Sequence, residues 1–184
     1  SKEIGRRTSY PVLARPIGRS VFVVGKYLGL LSMLALNTAL MMAVNGATLL
    51  AYVGDLRFAG LAFVGCFALL LVQFAVCAAF AMLFSSFTSA TLATIFTFSA
   101  VAAGHAFSEV RGFWLAAAQV RMKPLVHVLD VVLPNMGLLD LKEAFTYGDA
   151  VTASSLALRA LYGCGYAVVV VGLACAVFSR RDLK

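Results

Sequence analysis

The sequence predicts an all-α integral membrane protein with four transmembrane helices. Hydrophobic residues make up 62% of its 184 positions and charged residues 12%, whereas soluble domains average roughly 45–50% and 25%. Long stretches carry no formal charge, and about 20 apolar residues are enough for a helix to cross the hydrocarbon core of a bilayer. The excess of basic residues is concentrated near the two ends of the chain. These three observations define the fold class.

The net charge of +7 arises at the two termini. Residues 2–26 hold six bases and one acid, a net charge of +5, and residues 180–184 hold three bases and one acid, a net charge of +2. Segments rich in Lys and Arg that flank membrane spans stay on the cytoplasmic side. We therefore expect both termini to be cytoplasmic, and we expect no nucleic-acid partner.

The first half of the chain contains three predicted spans. The first covers about residues 27–54, and the polar turn that follows lies on the far side of the membrane. Residues 58–108 carry no formal charge, yet one helix of that length would measure about 75 Å, more than twice the thickness of the hydrocarbon core. The run must therefore fold back, and the polar cluster Ser85–Ser89 predicts a turn between spans at about 58–84 and 91–107.

Residues 108–155 are predicted to form an outer-face loop with short interfacial or re-entrant helices. Leu125, Val128, Leu129, Val132 and Leu133 form an apolar stripe at helical spacing after Pro124, and Pro134–Asn135 ends it. The Asp140-x-x-Glu143 pattern is typical of a capping box that opens a second short helix. The last span and a basic cytoplasmic C-terminus occupy residues 156–184.

No residues form a pattern typical of catalysis or of a bound cofactor. The four cysteines lie in apolar runs without a C-x-x-C pair, which favours buried apolar packing over a metal site. The Gly25-Lys26-Tyr27 sequence fails as a phosphate loop, because the preceding glycine and the following hydroxyl that such a loop requires are missing. We expect no metal, no cofactor and no enzymatic activity in this chain.

Polar residues inside the predicted spans have two interpretations. Asn37, Asn45 and Gln73 are candidates for a polar translocation path, because Asn37 and Asn45 fall on similar faces of one helix. The alternative is hydrogen bonding between helices, which an amide in lipid also requires.

The N-terminal segment, residues 1–26, has the composition of a surface at the membrane edge that a soluble partner contacts. It combines clustered arginines, two prolines that interrupt helix and spaced apolar residues. Anchoring of the arginines by lipid headgroups is the alternative, at about 1 kcal/mol for each charge.

Several motifs resemble the permease subunits of type-2 ATP-binding-cassette (ABC) exporters. They are Glu3-Ile4-x-Arg6-Arg7-Thr8, Leu13-x-Arg15-Pro16-Ile17-x-Arg19, Phe22-x-x-Gly25-Lys26-Tyr27-Leu28-Gly29, Leu133-Pro134-Asn135, Leu139-Asp140-Leu141 and Phe178-Ser179-Arg180-Arg181-Asp182-Leu183. The resemblance covers nearly the whole chain. Such permeases usually have six spans, so it implies two further spans upstream of this sequence.

The resemblance implies that this chain is the membrane permease and that a separate ATPase hydrolyses the ATP. The N-terminal segment would be the coupling segment on which the ATPase docks, through Glu3, Arg6, Arg7, Thr8, Arg15, Pro16 and Arg19. Ser85, Ser86 and Thr88 would form a second cytoplasmic contact. ATP and Mg would belong to the ATPase, expected in two copies beside a second permease, identical or related, in a bacterial inner membrane. Membrane lipids are the remaining partners.

Two other classes of membrane protein stay open at this point. An ion-coupled carrier would place charged residues inside its spans, and their lack between Leu28 and Gly54 and between Phe58 and Ser108 argues against it. A scaffold subunit that anchors a larger complex without transporting anything is the second alternative. The sequence does not indicate a substrate.

Overall fold

Four long helices make up most of the part of the protein that the structure describes. A computed structural model describes residues 19–54, 60–117, 133–141 and 152–179. Within those ranges there is no strand, and all four helices are long and apolar enough to cross a membrane. The helices are α1 (Arg19–Val53), α2 (Leu61–Ser85), α3 (Ala90–Ala117) and α4 (Ala153–Ser179), with a one-turn 3₁₀ helix at Met136–Leu139 before α4. The predicted all-α membrane fold with four spans is confirmed.

The first helix is longer than a membrane is thick. Its 35 residues measure about 52 Å, against about 30 Å for the hydrocarbon core. It begins at Arg19, within the predicted N-terminal segment, and continues past Lys26 because lysine is a good helix former with a long flexible stem. It ends at Val53, and the next residue, Gly54, has a positive φ of 69° that stops the helix and an N–H that donates to the Leu50 carbonyl over 2.9 Å.

The third and fourth helices also extend beyond the predicted spans. Helix α3 continues ten residues past Phe107 to Ala117, because no proline interrupts residues 90–117 and the charged residues there are tolerated in a helix outside the hydrocarbon. Helix α4 begins at Ala153. Residues 108–117 and 153–155 of the predicted outer-face loop thus belong to α3 and α4. Most of the apolar stripe at 125–133, the capping-box residue Glu143, the turn after Gly54 and residues 180–184 lie outside the described ranges.

Helix α2 is the centre of the bundle. It packs against all three other helices and most extensively against α4. Small residues are buried on both helices, with Ala75, Ala78 and Ala79 on α2 and Gly163 and Ala167 on α4, and a Cβ atom added to Gly163 would clash with Val72 of α2. Since lipid gives helices no hydrophobic reason to associate, close approach through small side chains is the usual way in which membrane helices pack.

Candidate functional site

The beginning of α1, the α2–α3 turn and the end of α4 lie at one end of the bundle, called here the turn end. The Phe22 and Phe178 rings stack with centroids 6.4 Å apart, and the Cys175 thiol lies 4.0 Å from the Ser20 carbonyl oxygen. Both basic termini are continuous with helix ends at this face, since residues 2–18 precede α1 and residues 180–184 follow α4. A partner at the turn end would meet all three elements together.

The residues predicted to dock the ATPase are mostly outside the described part of the chain. Glu3, Arg6, Arg7, Thr8, Arg15 and Pro16 belong to residues 1–18, and Arg19 is the first residue of α1. Their role remains a prediction. Residues 19–26, the last part of the predicted segment, belong to α1.

The hydroxyl groups of the α2–α3 turn bond to the turn itself. Ser85 donates to Met82 O over 3.0 Å, Ser86 to Leu83 O over 2.6 Å and Thr88 to Phe84 O over 2.7 Å. Ser86 is also buried, with 7% of its surface exposed. These residues therefore shape the turn, while the Phe87 ring, 46% exposed, is presented outward. Sequence reasoning missed Phe87, although an aromatic residue within a polar turn is a recognisable pattern.

An aromatic cluster holds this turn against the helices. The Phe84 ring lies 5.9 Å from Phe80, 5.9 Å from Phe87 and 5.7 Å from Phe96, and Phe80 lies 5.9 Å from Tyr166 of α4. Aromatic pairs at such distances contribute about 0.5–1.5 kcal/mol each beyond their buried area. These rings connect the turn to α2 and α3 and, through Phe80, to α4.

A groove of about 510 Å³ lies on α2 between α1 and α3, at the turn end. We call it the turn-end groove. Its α2 floor includes Cys77 and Ser85, its α3 wall includes Thr94 and Thr97, and Leu30 contributes from α1. Most of its surface is apolar, and the remaining lining residues are Ala81, Met82, Ala90, Ala93, Phe98 and Val101.

A second groove of about 570 Å³ lies between α1 and α2 towards the opposite end. Asn45 and Thr48 are its polar lining residues, and the others are Leu40, Met41, Val44, Leu49, Phe67 and Leu70. The structure thus places one predicted path residue, Asn45, beside an open groove. Whether anything moves along it remains a prediction.

Asn37 falls between the two grooves by helical register. Leu30 lines the first groove and Val44 lines the second, and Asn37 is seven residues from each, so the three share one face of α1. Its side chain is exposed. In a bilayer an exposed amide near the middle of a span needs a polar partner, so Asn37 remains a candidate for the path.

Gln73 lies apart from Asn37 and Asn45. Its side chain is 9% exposed, and its amide nitrogen is 2.9 Å from His105 Nε2 of α3. An amide nitrogen only donates, so Nε2 is the acceptor in this contact. The pair satisfies both groups between helices, which favours the interhelical interpretation for Gln73.

At the opposite end the segment 133–141 is inserted between α2, α3 and α4. The side chains of Met136, Leu139 and Leu141 are buried. Tyr162 accepts a hydrogen bond from the Asn135 backbone N–H over 2.9 Å, and Arg159 donates to Leu138 O over 3.1 Å. Sequence analysis predicted that Pro134–Asn135 ends a helix, and it missed that the following residues enter the bundle.

The described residues contain no group of three or more His, Cys, Asp or Glu that could hold a metal ion. Cys66, Cys77, Cys164 and Cys175 are free thiols on α2 and α4.

Comparison with known proteins gives the family. Residues 1–183 match the family model described as ABC-2 family transporter protein. No curated protein and no solved structure gave a significant match. The matched range includes the N-terminal segment, all four helices and the inserted segment, so the whole arrangement described above is covered. The chain is a multi-pass membrane protein with a permease-type transport role, and it belongs to the ABC-2 family of transporter proteins.

Proposed function

We propose that the chain is the permease subunit of an ABC exporter, driven by ATP that a separate ATPase subunit hydrolyses. The ATPase docks on residues 1–26 and on the α2–α3 turn at the turn end. Two ATPase subunits, each with ATP and Mg, and a second permease chain complete the transporter in a bacterial inner membrane. Both termini of this chain are cytoplasmic in that assembly.

The observation that carries the proposal is that residues 19–26 of the basic N-terminal segment form the beginning of α1, at the same end of the bundle as the α2–α3 turn. An ATPase can move a membrane path only through an element that it holds firmly and that is joined to a span. The continuous 35-residue α1 and the turn fixed by Phe84 meet that requirement. The family supports an ABC ATPase as the partner in general terms.

The experiment reverses two charges in the N-terminal segment of the assembled transporter. The Arg6→Glu, Arg7→Glu double variant should lose ATPase association by about tenfold or more, because each charged interface anchor contributes about 1 kcal/mol or more. Copurification of the ATPase and its ATP turnover are the measurements. Insertion of the permease, followed by its yield in membranes, should be unchanged.

The matched control reverses two arginines at the other terminus, Arg180→Glu and Arg181→Glu. If the N-terminal arginines only anchor the chain to headgroups, both double variants should behave alike and ATPase association should survive. Equal retention of ATPase in both variants would reject the docking proposal. A scaffold subunit would in addition leave ATP turnover the same whether or not the chain is present.

A further inference from the structure

We propose that the turn-end groove holds an acyl chain of an anionic membrane phospholipid, whose headgroup is bound by Lys26. This resident lipid stabilises the α1–α2–α3 contact. The proposal goes beyond the transport role, because it holds whether or not an ATPase docks at the same end.

The groove suits an apolar chain. Its lining is dominated by alanine, leucine, methionine, phenylalanine and valine side chains, and its volume of about 510 Å³ lies within the range of about 300–1,000 Å³ that is usual for ligand sites. Helices α1 and α3 both pack on α2, and the groove is the space that they leave over its surface. In a bilayer that space is filled by lipid unless protein covers it.

The hydroxyl groups in the groove already donate hydrogen bonds and do not need a polar ligand. Ser85 donates to Met82 O, Thr94 to Ala90 O over 2.9 Å and Thr97 to Ala93 O over 2.7 Å. Each hydroxyl hydrogen is therefore used within its own helix. An apolar occupant leaves no hydrogen-bond donor of these side chains unsatisfied.

A cation lies beside the groove at the side where a headgroup would lie. Lys26 is four residues before Leu30 on α1, so the two share a helix face, and Lys26 is one turn nearer the turn end. Its side chain is exposed, and its stem can carry the ammonium group towards the membrane surface. The cations with described side chains are Lys26 and Arg159, and of these two Lys26 lies at the turn end whereas Arg159 lies at the opposite end. Charge complementarity therefore selects an anionic headgroup here.

The test measures which phospholipid stays on the assembled transporter. The complex is reconstituted in nanodiscs of phosphatidylethanolamine with a minority of phosphatidylglycerol, re-extracted, and the retained lipid is quantified by native mass spectrometry. Lys26→Gln should lower phosphatidylglycerol retention about fivefold, the factor for about 1 kcal/mol per cation. Lys26→Arg should restore it.

A second pair of variants tests the groove itself. Ala81→Phe fills the groove and should displace the lipid, whereas Ala102→Phe adds the same ring at an exposed α3 position outside the lining and should not. Leu30→Trp replaces Ala81→Phe if the latter misfolds. Unchanged phosphatidylglycerol retention in Lys26→Gln and in the filled-groove variant would overturn the proposal, as would cross-linking of Cys77 to another protein chain. ATPase association is scored separately, so failure of the lipid site and failure of ATPase docking are distinguishable.

Discussion

The Gln73–His105 contact shows how one polar pair is accommodated among apolar helices. The two residues are 32 positions apart and lie on different helices. Sequence analysis could select Gln73 because an amide in a span needs a partner. It could not select His105 as that partner, because the pairing depends on how α2 and α3 face each other.

A double-mutant cycle on this pair gives the first prediction. Gln73→Leu and His105→Leu should each destabilise the bundle, because each leaves the other side chain without its hydrogen bond. The double variant should lose less than the two single losses combined, with a coupling of about 0.6 kcal/mol and at most about 1.7. Unfolding in mixed micelles measures the four stabilities. Additive losses would show that the contact contributes nothing.

Close packing of the inserted segment 133–141 depends on Gly104. A Cβ atom at this position would lie 2.6 Å from the Pro134 carbonyl oxygen and 3.3 Å from its Cγ. The carbonyl is backbone and cannot rotate aside, so the segment has to move. Glycine at 104 is therefore required by the close approach of the inserted segment rather than by the conformation of Gly104 itself.

We predict that Gly104→Ala destabilises the protein by about 1–3 kcal/mol, the usual cost of overpacking. The thermal unfolding midpoint and the proteolysis rate of residues 133–141 are the measurements. Gly172→Ala on α4 is the matched control, because a Cβ there meets nothing within 4 Å. Equal behaviour of the two variants would show that the segment does not pack against α3 as described.

The hydroxyl of Tyr162 is the second element that retains this segment. Tyr162→Phe removes the oxygen that accepts the Asn135 N–H, a loss of about 1 kcal/mol for one hydrogen bond. Hydrogen exchange at the Asn135 amide should become about fivefold faster. Tyr52→Phe is the control, since Tyr52 is 88% exposed and lies on α1. Unchanged exchange at Asn135 would contradict the assignment.

At the scale of the whole bundle, the features that depend on hydrophobicity alone were predictable from the sequence. The uncharged runs predict four helices, and the Ser85–Ser89 cluster predicts the turn between α2 and α3, because length forces a reversal there. Helix ends were less predictable: Lys26 and Arg159 are charged residues that the helices include, since a long side chain can reach the interface or a carbonyl. The insertion of Met136–Leu139 between the helices depends on tertiary packing, which the spacing of hydrophobic residues along the sequence does not predict.

Within the candidate site, the sequence predicted which residues are polar but not which of them meet. Asn45 lines a groove, Gln73 is paired to His105, and Ser86 is buried in its own turn. Asn45 and Gln73 were selected as polar residues inside spans, and Ser86 was selected as a cytoplasmic contact implied by the family resemblance. Their different surroundings follow from helix rotation, which 62% hydrophobic residues in nearly continuous runs leave poorly specified.

The orientation of the whole molecule gives the last prediction. The turn end is joined to both basic termini, and the bias of Lys and Arg places such an end in the cytoplasm. In a variant without native cysteines, Ser89→Cys at the turn end should react with a membrane-impermeant maleimide only in inside-out vesicles. Thr152→Cys, exposed just before α4 at the opposite end, should react only in right-side-out vesicles. Reaction of Ser89→Cys from outside would place the turn, and any ATPase contact with it, on the wrong side of the membrane.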